Sequence, residues 1–179
     1  MILVTVIHDM NGEGLWSAEQ LLSRYQAYIR RFDIAEPRDL TPATHESGSE
    51  RWVYPVMKEV IKGIEADDLA CAQLGVEFIE EDQGFVFGMI LKSNTARALR
   101  RFEQLTDEQI ERIRRRVAAL YVTGVVPKEF AQYLKLIRRL SPGSSWSSIQ
   151  GATPKNHNAQ AAQRYFKSQF DQDGRPRPD

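Results

Sequence analysis

From Ala18 to Leu140 the apolar residues recur mostly at intervals of three and four, the spacing of one helix face. The start of the chain differs. Ile2 to Ile7 is a β-branched run and the one strand the pattern predicts. A Gly-rich loop, Asn11 to Gly14, then feeds a helix whose start is marked by Ser17 and Gln20 in capping-box spacing, with Trp16 stapled onto Leu21. Its inward face is Leu21, Leu22, Tyr25, Tyr28 and Ile29.

Residues 33–51, rich in Pro, Thr, Ser and acids, read as a linker loop. Helices follow over Val53 to Glu65, with Pro55 in the first turn, and over Asp67 to Glu81. Phe85 to Phe102 reads as helix, broken near Ser93 and Asn94. Thr106 and Gln109 make a second capping box, with Leu105 stapled onto Ile110. That helix runs to Thr123, Gly124 stops it, and Pro127 starts the next, which ends at Ser141 to Gly143. The remainder is polar and poor in aliphatics, so little apolar area is there to order it. Trp146 and Ala159 to Phe170 form a candidate docking arm, and the tip DQDGRPRPD is expected to be disordered.

The domain plan is therefore a strand, loop and helix over 1–32, a linker over 33–51, a helical core over 52–140, and a polar, largely flexible tail over 141–179. One strand among five or six helices excludes a βαβ architecture. The fold class is mainly α: a HEAT-like α-α superhelix or an antiparallel helical bundle, with one short N-terminal strand. The stretch DDLACAQLG, Asp67 to Gly75, resembles the small-residue and Leu-Gly pattern of HEAT-type repeat helices, and the spacing of paired helices over Val53 to Leu140 is similar to HEAT and armadillo repeats. The resemblance covers about half the chain, and no copy of the motif recurs at a fixed period. It implies a binding scaffold and carries over no catalytic residue.

At 179 residues the chain is long enough to bury a core without staples. Its single cysteine, Cys71, excludes an internal disulfide framework and a zinc finger. No apolar run approaches a membrane span of about 20 residues. MILVTVIHDM lacks a basic n-region, so a cytoplasmic protein is expected.

Net charge is zero, but unevenly spread. Residues 1–91 hold 16 acids and 7 bases; residues 92–140 hold 5 acids and 12 bases. Such polarity suits an anionic partner or self-association of unlike faces.

The arginine-rich helix after Thr106 places Ile110, Ile113, Val117, Leu120 and Tyr121 inward. Glu108 precedes Arg112, and Glu111 precedes Arg115, by four residues each, the favourable order for helix ion pairs. The next helix turns Phe130, Tyr133, Leu134, Ile137 and Leu140 inward and Lys128, Lys135 and Arg139 outward. Arg97, Arg100 and Arg101 add to these from the helix near Ala96. With Arg115 they make a candidate basic ridge able to hold phosphates or an acidic partner. A DNA-reading helix-turn-helix fits less well. Glu129 stands at the start of the second helix, and the bases lie late in it, whereas recognition helices read with their N-terminal residues.

Glu77, Glu80, Glu81 and Asp82 make a candidate acidic face at a helix C-terminus, where carboxylates oppose the dipole. Gly12 and Gly14 match only part of a dinucleotide fingerprint, and no second strand follows to complete it. His8 with Asp9 is the sole acid–base candidate. His45 and His157 add no ligand spacing. Cys71, between Ala70 and Ala72, reads as a buried core residue. The sequence therefore predicts a non-enzymatic protein-interaction module with no catalytic, metal or cofactor residues, using the acidic face, the basic ridge or both. A nucleic-acid-associated protein gripping phosphates through the ridge is the alternative, and an enzyme built on His8 and Asp9 is the third reading.

Overall fold

The computed structural model describes residues 5–82 and 84–178. The strands come first: β1 Val6–Asp9, β2 Thr44–Ser47 and β3 Glu50–Val53. They form one sheet in the order β1-β3-β2, with β1 parallel and β2 antiparallel to β3. Three strands thus stand where one was expected, and the expected one keeps Val6 and Ile7 within β1; Ile2, Leu3 and Val4 lie outside the described residues. It pairs within the chain, Val6 with Glu50 through Asp9 with Val53.

The linker expected over 33–51 is corrected in the same place, since it carries a hairpin. Gly48 and Ser49 are its two turn residues, and Gly48 has φ 61°, the left-handed backbone that primed hairpin turns require. The composition of the loop masked that turn signal.

The helices are α1 Ala18–Arg31, α2 Met57–Glu65, α3 Leu69–Glu80, α4 Gly88–Arg101, α5 Asp107–Thr123, α6 Phe130–Leu140, α7 Trp146–Gly151 and α8 His157–Gln169. The mainly helical class holds. Side-chain caps explain four of the eight starts, α1, α3, α5 and α8: Ser17 accepts from the Gln20 amide at 3.2 Å, and Asp68 from the Cys71 amide at 2.9 Å. Thr106 and Gln109 form both halves of a capping box. The break expected at Ser93 and Asn94 does not occur. Both residues are only half-buried, and the helix runs on between buried Leu91 and buried Thr95, Ala96 and Leu99.

Helix packing follows a simple order. The main contacts join α1 to α3, α2 to α3 and α4, α3 to α4 and α5, α4 to α6, α5 to α6 and α7, and α6 to α8. The even-numbered helices therefore form one row and the odd-numbered helices another. α3 lies in the middle, buried from Ala70 to Val76 and again at Phe78 and Ile79. Gly63 of α2 lets Cys71 of α3 come close: a Cβ there would collide with the Cys71 sulfur.

The region 141–179 also needs correction, because it carries two helices where a largely flexible tail was expected. Trp146, Phe166 and Phe170 gather beside Tyr121 of α5, with centroids 5.2 Å apart for Tyr121–Phe166 and 5.5 Å for Trp146–Phe170. Asn156 caps α8 and donates to the Gly124 carbonyl at 2.7 Å. Even the tip is tied: Phe170 bridges to Pro176, and the Arg177 amide donates to Gln169 at 2.8 Å. Few but large aromatic rings supply the apolar area that a count of aliphatics missed.

Candidate functional site

The acid-rich end of α3 comes first, because its composition invited a binding role. Glu77 accepts from Arg24, from the Tyr28 hydroxyl and from Gln73 at 2.8 Å, with Arg112 4.0 Å away. Glu80 receives two guanidinium bonds from Arg112, one of them 3.0 Å long. Glu81 accepts from the Trp16 indole, and Asp82 from Arg116. Arg116 also donates to the Ile79 carbonyl at 3.2 Å, and Lys92 donates to the Glu81 carbonyl. Arg116 and Lys92 thus reach carbonyls at the negative end of the α3 dipole, and with Arg24 and Arg112 they offset the cost of placing acids there. The Arg116 bond holds the Asp82 carboxyl below its ordinary range, and burial lowers Lys92. Glu77 and Glu80 are thus built into the junction of α1, α3 and α5, while Asp82 is paired with Arg116 at the surface, its side chain 79% exposed.

The expected helix ion pairs of α5 take other partners. Arg112 crosses to α3, Glu108 meets Arg31 of α1 at 3.7 Å, and Glu111 lies 3.7 Å from Arg114. Tertiary neighbours take Arg112 and Glu108, and Glu111 turns to the i,i+3 residue of its own helix.

The basic ridge divides. Arg100 at the end of α4 and Lys135 and Arg139 on α6 line one open groove of about 620 Å³, joined by Arg138, by Tyr165 and Gln169 of α8, and by Pro176. No carboxylate lines it. The stacking of α4, α6 and α8 in one row brings these residues together. Lys135, Arg138 and Arg139 sit at i, i+3 and i+4, so one face of α6 presents all three. Arg139 also donates to the Phe102 carbonyl at 3.0 Å, a cation at the negative end of α4. Burial raises the Tyr165 hydroxyl above its ordinary range, against a downward pull from Arg138 and Arg100. At neutral pH it is an O–H donor. Three guanidinium groups, an ammonium and a phenol therefore share the groove, a donor set suited to carboxylate or phosphate oxygens.

The other ridge residues lie elsewhere. Arg115 lines a separate hollow on α5 with Arg112, Arg116, Glu80 and Glu108. Arg97 donates to Asn94 at 3.1 Å, and Arg101 and Lys128 are exposed outside the groove. Arg138 was legible from its spacing to Lys135. Tyr165 and Gln169 were missed because their helix read as tail.

The N-terminal candidates serve structure. Asn11 accepts from the Val56 amide at 2.8 Å and donates to Asp9, tying β1 to the start of α2. The His8 ring stacks on Trp52 with centroids 5.2 Å apart, and His45 lies on Trp52 at 5.5 Å. Cys71 is fully buried; burial first, then the charge of Asp68, pushes its thiol up. Among the described residues, no group of three or more His, Cys, Asp or Glu could hold a metal ion. No helix among them is long and apolar enough to cross a membrane. No protein-family model matches the chain, and neither does any curated protein or any solved structure.

Proposed function

We propose that the chain is a non-enzymatic helical interaction module, stacked in the HEAT-like manner, that binds an acidic protein segment through the groove of α4, α6 and α8. One observation carries the reading: four cations and a phenol line a groove without a carboxylate. The alternation of contacts between two helix rows supports the stacked architecture. The acidic face plays no part in this reading, because Glu77, Glu80 and Asp82 are already paired within the chain.

Nucleic-acid binding is the second reading. The same cations favour it, and Tyr165 among them offers a ring beside the guanidinium groups. Fluorescence anisotropy separates the two. The probes are a polyglutamate peptide, a single-stranded RNA and a duplex DNA, each at about 50 and 200 mM salt. The expected result is peptide binding that exceeds nucleic-acid binding and falls at least tenfold in the double variant Arg100→Glu, Lys135→Glu. Peptide binding that is absent at low salt, or equal in the variant, overturns the proposal. Stronger binding of RNA or DNA, lost in the same variant, replaces it with the second reading.

A further inference from the structure

The even-numbered row has a second hollow, between α2 and α4, of about 400 Å³. Tyr54 and Ile61 line it on one side, and Phe87, Ile90 and Leu91 on the other. It shares no residue with the basic groove. Its size lies within the roughly 300–1,000 Å³ of ordinary binding pockets.

Two features of its α4 side point to an occupant. Val86, Phe87, Met89 and Ile90 are all large, apolar and exposed, Phe87 at 48% and Ile90 at 57%. Four such residues within five positions make a patch of the kind that marks interaction sites. Phe87 also has φ 61°, a left-handed backbone that is strained for a residue with a Cβ. The chain holds a strained aromatic residue half in water at the lip of an apolar hollow, and strain of this kind gathers at ligand clamps.

Charge defines the occupant further. Lys58 and Lys62 line the hollow, and no acid does. The Lys58 ammonium lies 4.7 Å from the centre of the Tyr54 ring and has no acid partner among the described residues. Lys62 is 2.8 Å from Glu59, which offsets part of its charge. Asn94, also in the lining, accepts from Arg97 and holds a third cation at the margin. The acids at the end of α3 offer a second copy no free carboxylate, since Glu77, Glu80 and Asp82 are held by Arg24, Arg112 and Arg116.

We infer that this hollow docks an amphipathic helical segment of another protein, with large apolar residues at i, i+3 or i+4 and carboxylates beside them. The apolar anchors cover Phe87, Ile90 and Ile61, and the carboxylates meet Lys58 and Arg97. This is the helix-in-groove mode of recognition. It stands apart from the proposal for the basic groove, and either can fail while the other holds.

The test is selection from a displayed library of random 16-residue peptides, using the whole chain as bait and the Ile90→Asp chain for counter-selection. Ile90 is more than half exposed, so the variant should keep the wild-type melting temperature. Survivors should be net acidic, carry two or more large apolar residues at helical spacing, and bind Ile90→Asp at least tenfold more weakly. Lys58→Glu should weaken them several-fold, while Arg100→Glu in the basic groove leaves them unchanged. Phe87→Gly separates docking from folding: it should melt no lower than wild type, because glycine accepts the left-handed backbone, and still lose the peptides. Survivors that are net basic, or that do not distinguish wild type from Ile90→Asp, overturn the inference. So does sedimentation showing a wild-type dimer that Ile90→Asp dissolves, which would make the occupant a second copy.

Discussion

The C-terminal end of α3 and the groove of α4, α6 and α8 are both dense in charge, one acidic and one basic. At the end of α3 every predicted acid meets a donor from the same chain, and Lys92 is buried against the last turn. In the groove Arg100 and Lys135 make no ion pair among the described residues, and no acid lines the wall. The difference comes from position. Carboxylates at a helix C-terminus repel the carbonyls there and attract cations from every helix packed nearby. Arg100 at the end of α4 and Arg139 at the end of α6 already suit the local dipole, while Lys135 is exposed in the middle of α6. A charge cluster seen in a sequence is thus a stronger interface candidate where it agrees with its helix end than where it opposes it.

The largest expected effect breaks the closed side. Glu77 is 13% exposed and holds Arg24, Tyr28 and Gln73 together. Glu77→Ala strands those donors and should cost about 2–3 kcal/mol in urea unfolding. A loss below about 1 kcal/mol would mean that these acids are not structural, and the contrast with the groove would fall.

The open side should respond in the opposite way. The double variant Arg100→Glu, Lys135→Glu should stay within about 1 kcal/mol of wild-type stability, as exposed substitutions do. Its affinity for the acidic peptide should fall at least tenfold, about 1.4 kcal/mol. Unfolding of this variant at ordinary temperature would show that the groove, too, is structural.

The N-terminal end of α3 sharpens the comparison, since there an acid suits the dipole. Asp68 caps Cys71 and accepts from the Tyr25 hydroxyl at 2.6 Å. Burial raises the folded-state pKa of both Tyr25 and Cys71. A raised pKa contributes stability that is complete below the unfolded value and is lost as pH rises. The unfolded values are about 8.5 for cysteine and about 10 for tyrosine. Stability should hold to about pH 8.5 and then fall by about 1 kcal/mol in the next pH unit, read by thermal melts. In Cys71→Ala the fall should begin only near pH 10. An identical onset in both proteins would remove Cys71 from the account.

The smallest effect lies between the two regions. Glu108 and Arg31 are 3.7 Å apart, with side chains 65% and 52% exposed. Glu108→Gln should change stability by less than about 0.5 kcal/mol. A larger loss would extend the closed network to the surface of α5.

Much of the fold was legible along the chain. The capping boxes, the Gly124 stop and the inward face of α6 follow from residues within one or two turns of each other. Three of the seven ridge residues, Arg100, Lys135 and Arg139, do share a groove. What was not legible depended on distant partners. The hairpin at Gly48 was hidden in a polar stretch, and β3 joins β1 across more than forty residues. α8 lies in a stretch read as polar tail with only a candidate docking arm at Trp146 and Ala159 to Phe170; Phe166 and Phe170 do find Trp146 and Tyr121. With α8 unplaced, Tyr165 offered no sign that it completes the basic groove.

By itself the sequence determined where the capped helices α1, α3 and α5 start, where Gly124 stops α5, which sides turn inward, and that acids and bases fall in different parts of the chain. Only the tertiary structure decided which of those charges stay open to a partner. Helix signals act through bonds and sterics a few residues apart, so local spacing contains them. The fate of a charge depends on burial and on donors brought from far along the chain, as Arg24 and Arg112 are brought to Glu77.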